Sequence, residues 1–161
     1  MSISFSGSEL VNIAIGIERR GIAFYDVMAK SAESGKVREV FQCLVGMEHQ
    51  HINIFQDMLV ETDEYQLPEA YTGEHAAYLE ALVDSVVFSD DLITSEMVTR
   101  LDSDIEALEL AINLEKDSIL FYYQMRDIVS PKEQPALDKI IAEEKSHLRD
   151  LSVIKRELTS D

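Results

Sequence analysis

The segments EHQH at residues 48–51 and EKSH at residues 144–147 decide the fold of this chain. Each is a Glu followed three positions later by a His, a spacing that places both side chains on one face of a helix. Each segment also follows a single Glu. Glu18 stands 30 positions before the first segment, and Glu115 stands 29 positions before the second. The chain therefore carries the same half-site twice.

The residues that follow the two single glutamates repeat as well. Each of these glutamates has a Phe at +6, a Tyr at +7 and a Met at +10. These residues are Phe24, Tyr25 and Met28 in the first half, and Phe121, Tyr122 and Met125 in the second. Four carboxylates and two imidazoles on four helices are the ligand set of a di-iron or di-manganese bundle.

Apolar residues at helical spacing predict four long helices. The six Glu and His residues fall on the same stripes as the apolar residues, so they should face the core. A helix rises about 1.5 Å per residue along its axis. If neighbouring helices pair antiparallel, the two Glu residues of each half would therefore lie at nearly the same level along the bundle. The predicted helices lie at about residues 8–30, 36–61, 103–129 and 130–158.

Local signals predict where three of these helices begin. The patterns Ser6-x-x-Glu9 and Ser103-x-x-Glu106 are capping boxes for the first and third helices. The fourth helix is expected to begin with residue 130 as its N-cap, since Ser130, Pro131 and Glu133 match the preferred N-terminal pattern.

The connection at about residues 62–102 is too long for a tight turn between bundle neighbours. It suits a crossover along the bundle, which would leave the second and third long helices parallel. Within it, residues 76–88 and 94–100 favour short helices. The expected fold is all-α, a single domain spanning residues 1–161. It is a four-helix bundle of two antiparallel hairpins joined by this crossover.

The six polar residues on the apolar stripes predict a dinuclear metal site. An isolated Glu-x-x-His is usually a surface feature, but four ionised carboxylates in an apolar interior destabilise the fold by several kcal/mol each unless cations balance them. Mixed carboxylate and imidazole ligands suit iron or manganese better than magnesium. Two ions, of iron or of manganese, are expected. The predicted ligands are Glu18, Glu48, His51, Glu115, Glu144 and His147.

Three neighbouring residues allow simpler interpretations. Tyr25 and Tyr122 lie two helical turns beyond Glu18 and Glu115, and they are either core aromatics or hydrogen-bond donors to a ligating carboxylate. Glu143 precedes Glu144 and is expected to point away from the site.

Composition restricts the function classes. The 161 residues carry a net charge of −17, from 31 acidic against 14 basic residues, which disfavours binding to nucleic acid or to an anionic membrane. Cys43 is the only cysteine, so no Cys-based iron or zinc site can form within the chain. The N-terminus lacks a signal-peptide pattern, and no apolar run approaches membrane-spanning length. A reducing cytoplasm is the expected location.

With these motifs, the chain resembles the ferritin-like superfamily and, within it, the rubrerythrins. The resemblance covers the four predicted long helices, about two-thirds of the residues. It implies a centre of two iron ions, with manganese or zinc as substitutes, that reacts with peroxide or dioxygen. The six predicted residues would be its ligands, with Glu48 and Glu144 as the bridges. It also implies a homodimer or a higher homo-oligomer.

The chain departs from the rubrerythrin pattern at two points. Full-length rubrerythrins add a rubredoxin domain with two Cys-x-x-Cys pairs, so with one cysteine we expect a separate electron donor. Rubrerythrins also carry an extra Glu one turn from the main ligand of the third helix, where this chain has Ile112 and Ser118. Alternatives to an oxidoreductase are an iron-storage or iron-sequestration protein and a non-catalytic metal-binding helical module.

Overall fold

The computed structural model describes residues 5–61, 73–88 and 103–160. These ranges contain α-helices and no β-strand, so the predicted all-α fold is confirmed. The four long helices form two hairpins, and a shorter helix lies in the connection between them. The helices are α1 (Gly7–Ser31), α2 (Gly35–Glu61), α3 (Glu74–Phe88), α4 (Asp104–Ile128) and α5 (Gln134–Thr159).

The predicted caps of α1 and α4 are present. The Ser6 hydroxyl accepts a hydrogen bond from the backbone N–H of Glu9, and the Glu9 carboxylate accepts one from the backbone N–H of Ser6. At α4, the Ser103 hydroxyl accepts from the backbone N–H of Glu106 at 3.2 Å. Each cap satisfies N–H groups that have no partner inside the helix.

The predicted start of the fourth long helix is wrong. Residues 131–133 form a turn, α5 begins at Gln134, and Glu133 occupies the N-cap without a side-chain capping bond. The physical reason is Pro135, which has no N–H. A helix that began at Pro131 would place Pro135 where its N–H is needed, whereas a start at Gln134 places it in the first turn.

Contacts at one end of the bundle fix the helix directions. The Asp104 carboxylate, at the start of α4, accepts hydrogen bonds from the backbone N–H groups of Glu33 and Ser34, at 3.1 and 2.7 Å, in the turn between α1 and α2. Lys36 near the start of α2 pairs with Glu157 near the end of α5 at 2.9 Å. The starts of α2 and α4 therefore lie at the same end, and these two helices run parallel, as the crossover predicts.

The connection between the hairpins includes α3, which agrees with the helix predicted at residues 76–88. α3 packs against α4 and buries Leu79 and Val83 in the apolar cluster at the other end of the bundle. The second short helix, predicted at residues 94–100, lies outside the described residues. None of the helices in the described ranges is long and apolar enough to cross a membrane.

The interior of the bundle is divided into two apolar clusters. One packs the N-terminal half of α1 against the C-terminal halves of α2 and α4, with Leu10, Phe55 and Ile128 among its members. The other packs the C-terminal half of α1 against the N-terminal halves of α2 and α4, and includes Phe41 and Leu108. The polar residues of the predicted site lie between these clusters along each helix.

We expect Asp104→Ala to destabilise the bundle. The substitution leaves two backbone N–H groups of the α1–α2 turn without their acceptor, and hydrogen bonds to a charged group are worth about 1.5–3 kcal/mol. Because these groups are near the surface, a loss of about 1–2 kcal/mol in the free energy of unfolding is expected in urea. Glu39→Ala, an exposed change near the same turn, is the matched control. Equal stability of the two variants would contradict the role of Asp104.

Candidate metal centre

The structure brings all six predicted ligand residues together in the middle of the bundle. α1 and α4 each supply one Glu, and α2 and α5 each supply a Glu and a His. All six side chains belong to residues buried within a mainly apolar interior. Their relative exposures are Glu18 2%, Glu48 3%, His51 0%, Glu115 2%, Glu144 1% and His147 7%.

These residues form two overlapping groups, each with ligand atoms within 4.8 Å of one another. One group contains Glu18 and His51, the other contains Glu115 and His147, and Glu48 and Glu144 belong to both. Shared carboxylates between two four-residue groups are the arrangement in which a carboxylate bridges two ions. Each ion would also be held by one unshared Glu and one His.

Both imidazole rings turn the Nδ1 atom toward the carboxylates. His51 Nδ1 lies 3.2 Å from Glu48, 3.2 Å from Glu144 and 3.5 Å from Glu18. His147 Nδ1 lies 3.0 Å from Glu144, 3.7 Å from Glu115 and 3.8 Å from Glu48. The two rings stack with their centroids 5.9 Å apart. Each ring thus offers one nitrogen to the centre.

Two tyrosines cross between the halves of the bundle. Tyr25 on α1 donates a hydrogen bond to the Glu115 carboxylate on α4, and Tyr122 on α4 donates one to the Glu18 carboxylate on α1. Both phenols are fully buried, and burial raises the pKa of each well above its usual value, as does the neighbouring carboxylate. Both phenols therefore stay protonated and act as donors.

Glu143 is the residue that sequence reasoning missed. It was expected to point away from the site, but one of its carboxylate oxygens lies 2.9 Å from Nε2 of His51. The i,i+4 relation between Glu143 and the ligand His147 could have indicated that Glu143 lies on the flank of the ligand stripe. The identity of its partner depends on packing between α2 and α5, which the sequence alone does not fix.

Burial makes the carboxylates hard to ionise. It is the main cause that raises the pKa of Glu18, Glu48 and Glu115, and the charges of neighbouring carboxylates raise it further. Burial alone would also raise the pKa of Glu144, but hydrogen bonds from His147 and His51 lower it below its usual value. Glu144 is the carboxylate that both imidazoles stabilise as an anion.

Burial acts on the pKa values of the imidazoles in the opposite direction, but the neighbouring carboxylates outweigh it. Burial alone would lower the pKa of His147, but the carboxylates of Glu115 and Glu144 raise it to about 10. The pKa of His51 is also raised, despite burial, by Glu144, Glu18 and Glu48. Protons on the site therefore balance part of the carboxylate charge, in positions that a cation could take over.

The donor set fits a pair of divalent cations. Four carboxylates match the charge of two such ions, and two imidazoles add borderline ligands that favour transition metals over magnesium. Within the described residues, the buried Oε2 atom of Glu115 accepts no hydrogen bond. Such an atom is unfavourable without a partner, and a bound cation would supply one.

A small cavity of about 30 Å³ lies between α1 and α4 beside the centre. Its lining includes Glu18, Glu48 and Glu115, together with Gly21 and Ser118. These last two residues stand at +3 from the single glutamates of the two halves. Small side chains at both positions leave room for a molecule the size of water or hydrogen peroxide.

The helical bundle and the paired Glu and Glu-x-x-His ligands define the ferritin-like class of carboxylate proteins. The chain belongs to the rubrerythrin family, whose sequence pattern it matches over residues 9–155. A solved structure from Thermotoga maritima, named as a ferritin-like diiron-carboxylate protein, is 30% identical, with a TM-score of 0.69. The similarity covers 96% of this chain and 97% of that one. No curated protein shows a significant match.

We expect the metal-free protein to lose stability as the pH rises from about 6.5 to about 9. The window is set by His147, whose pKa is raised from 6.5 to about 10 in the folded state, and the pKa values of Glu48 and Glu115 are raised in the same direction. The folded state therefore keeps protons that the unfolded state has released, and unfolding becomes easier as the pH rises. Each retained proton contributes about 1.4 kcal/mol per pH unit to the slope, measurable by urea unfolding at several pH values.

The matched control for this pH series is the same protein loaded with Mn²⁺. Bound cations take the place of the protons, so the slope should shrink while stability rises at every pH. A metal-free protein whose stability is constant or increases over this range would contradict the electrostatics of the site.

Proposed function

We propose that this protein is a di-iron carboxylate oxidoreductase that reacts with peroxide or dioxygen, as a rubrerythrin-like peroxidase or ferroxidase. The observation that carries this proposal is the pair of buried four-residue groups sharing Glu48 and Glu144. A structural metal site is normally closed by its protein ligands, whereas a reactive site keeps positions open for substrate. Here six side chains serve two ions, which leaves coordination positions unfilled.

Two bound ferrous ions would supply one electron each, so that one peroxide molecule and two protons give two water molecules. The side chains have separate tasks around that reaction. Glu48 and Glu144, which belong to both four-residue groups, would contribute to both ions. Glu18 and Glu115 would each serve one ion, and the tyrosine hydroxyl that donates to each of these carboxylates fixes its orientation.

The surroundings of the centre suit a reaction with a small oxidant. The apolar clusters at both ends of the site limit access of water, and fixed charges act more strongly in such an environment. The cavity between α1 and α4 reaches the carboxylates directly. Hydrogen peroxide and dioxygen are small enough for this route, whereas larger organic substrates are not.

Regeneration of the centre requires electrons from a separate donor. The chain has one cysteine, Cys43, which is exposed, and a single thiol cannot hold an iron–sulfur cluster. We therefore propose a distinct protein reductant, a homodimer or higher homo-oligomer, and a cytoplasmic role in oxidative-stress defence or iron handling. Iron storage is the alternative that uses the same centre for the oxidation of ferrous ions.

Anaerobic loading with Fe²⁺ followed by hydrogen peroxide tests the proposed function. We expect two irons per chain, rapid oxidation of both, and one peroxide consumed for each pair of irons. Glu115→Ala should bind less iron and react more slowly, because it removes one ligand. Glu109→Ala, an exposed change on the same helix, is the matched control. Iron that binds but stays ferrous after peroxide is added would contradict the proposal.

The same experiment separates the enzyme from a storage protein. An enzyme stops at two oxidised irons per chain and reacts again after chemical reduction. A storage protein continues to oxidise added Fe²⁺ well beyond two ions per chain and retains the product in a large particle. Size-exclusion chromatography of the oxidised sample measures that particle directly.

We expect Gly21→Leu to slow the peroxide reaction while both irons still bind. A Cβ at Gly21 would lie 3.7 Å from Glu48 Cγ and 3.7 Å from Tyr25 Cε2, an ordinary contact, so Gly21→Ala should fit. The longer leucine side chain would fill the cavity. A rate reduced about tenfold or more, equivalent to about 1.4 kcal/mol in the barrier, is expected by stopped-flow absorbance.

Gly21→Ala serves as the control for this substitution, because both changes replace a helical glycine by a good helix former and differ in how far the side chain extends beyond Cβ. Equal rates for the alanine and leucine variants would show that the oxidant does not use the cavity between α1 and α4.

A further inference from the structure

The two halves of the candidate metal centre differ in the residue that contacts the Nε2 atom of the histidine. The His51 ring turns Nδ1 toward three carboxylates of the centre and Nε2 toward Glu143 at 2.9 Å. The ring therefore spans the distance between the site and a fifth carboxylate outside it. Glu143 is not among the residues whose oxygens gather around the two candidate ion positions.

The other half has no matching arrangement. Glu143 stands one position before Glu144, and the corresponding position before Glu48 is occupied by Met47, whose side chain has no carboxylate. In the part of the chain that the structure describes, the hydrogen bonds and ion pairs of His147 all involve Nδ1. The two halves of the sequence thus share the six predicted ligands but differ at the position before each Glu-x-x-His, which is Met47 in the first half and Glu143 in the second.

A carboxylate behind a ligating histidine changes the metal position that it serves. It accepts the Nε2–H bond, which leaves Nδ1 as the free lone pair, fixes the ring orientation and makes Nδ1 a stronger donor. Removing such an outer partner typically reduces metal affinity about 10–100-fold. The effect concerns the ion that the particular histidine holds and leaves the other ion largely unaffected.

If Glu143 only stabilised the fold, it would do so through an ion pair with its neighbour on the surface of α5. Lys139 lies one turn earlier, but its Nζ atom is 4.0 Å from Glu143 Oε1 and is largely exposed. Exposed i,i+4 pairs contribute only about 0.3–0.5 kcal/mol. The 2.9 Å contact to fully buried His51 is the closer and better shielded interaction, so it determines where the carboxylate lies.

We infer that Glu143 is a positioning residue that makes the two ion positions unequal. The position formed by Glu18, Glu48, His51 and Glu144 is the tighter one and fills first. The position formed by Glu48, Glu115, Glu144 and His147 is the weaker one and fills second. This inference rests on the proposed dinuclear centre and goes beyond it, since the six ligands alone would make the two positions nearly equivalent.

Calorimetric titration of the metal-free protein with Fe²⁺ under anaerobic conditions tests the inference. For the wild type, we expect two successive binding steps of different affinity. Glu143→Gln removes the charge but keeps an acceptor oxygen, and Glu143→Leu removes both. The first step should weaken by about 10–100-fold in the leucine variant and by less in the glutamine variant, while the second step stays unchanged.

The spectroscopic readout is Mössbauer spectroscopy of the protein loaded with one equivalent of ⁵⁷Fe²⁺. A single quadrupole doublet is expected for the wild type, because the first ion goes to one position. Two doublets of comparable intensity are expected for Glu143→Leu, because the positions become similar in affinity. A residue that only stabilised the fold would not redistribute one equivalent of iron between two positions.

Two further variants serve as controls. Asp150→Asn makes the same change of charge as Glu143→Gln, at an exposed site two turns along α5, and should leave both binding steps unchanged. Met47→Glu places a carboxylate at the equivalent position of the other half and should tighten the second step by about 10–100-fold. Circular dichroism of each metal-free variant verifies that the bundle is folded.

The outcomes separate this inference from the proposed function. A wild type that binds two irons in distinct steps, with both steps unchanged in Glu143→Leu, overturns the role of Glu143 and leaves the dinuclear centre intact. Equal weakening of both steps also overturns it, because the effect is then not specific to the His51 position. A wild type that binds no iron overturns both proposals.

Discussion

Four carboxylates lie side by side inside an apolar bundle, and their mutual repulsion is the constraint on which the rest of the structure depends. Burial and neighbouring charge raise the pKa values of three of them, Glu18, Glu48 and Glu115. The two imidazoles and the two tyrosine hydroxyls supply positive charge and hydrogen-bond donors that offset part of the repulsion. In the proposed di-metal centre, bound cations would offset the remainder, which would couple metal binding to the stability of the bundle.

The six Glu and His residues form a polar layer that the fold separates from solvent at both ends. Apolar clusters pack at both ends of the site, and the two tyrosines reach into the layer from opposite clusters, Tyr25 from one and Tyr122 from the other. The parallel arrangement of α2 and α4 follows from the long connection and places corresponding helices of the two hairpins in equivalent positions. As a result, α1 faces α4 and α2 faces α5, and the Glu and His residues of the two halves meet in the middle of the bundle.

Much of this architecture could be predicted from the sequence, because its causes are local or periodic. Helical spacing placed the six polar residues on the core stripes, and the two capping boxes located the starts of α1 and α4. The start of α5 differs from the predicted one, because Pro135 is accommodated only in the first turn and moves the helix start to Gln134. The contact between Glu143 and His51 joins residues 92 positions apart, and the cavity beside Gly21 depends on how closely two helices approach. Such features require packing distances that periodicity does not contain.

The duplicated halves are symmetric in the Glu and His residues that meet in the middle of the bundle. They differ at the contact that Nε2 of His51 makes with Glu143. The face between α1 and α4 carries the cavity beside the carboxylates, whose lining includes small residues at equivalent positions, Gly21 and Ser118. The face between α2 and α5 carries Glu143, whose partly exposed carboxylate contacts the buried His51 ring. A reactive centre needs an opening for its small substrate and a firm hold on its ions. Under the proposed function, these two needs fall to opposite faces of the bundle, so a substitution that changes one can leave the other intact.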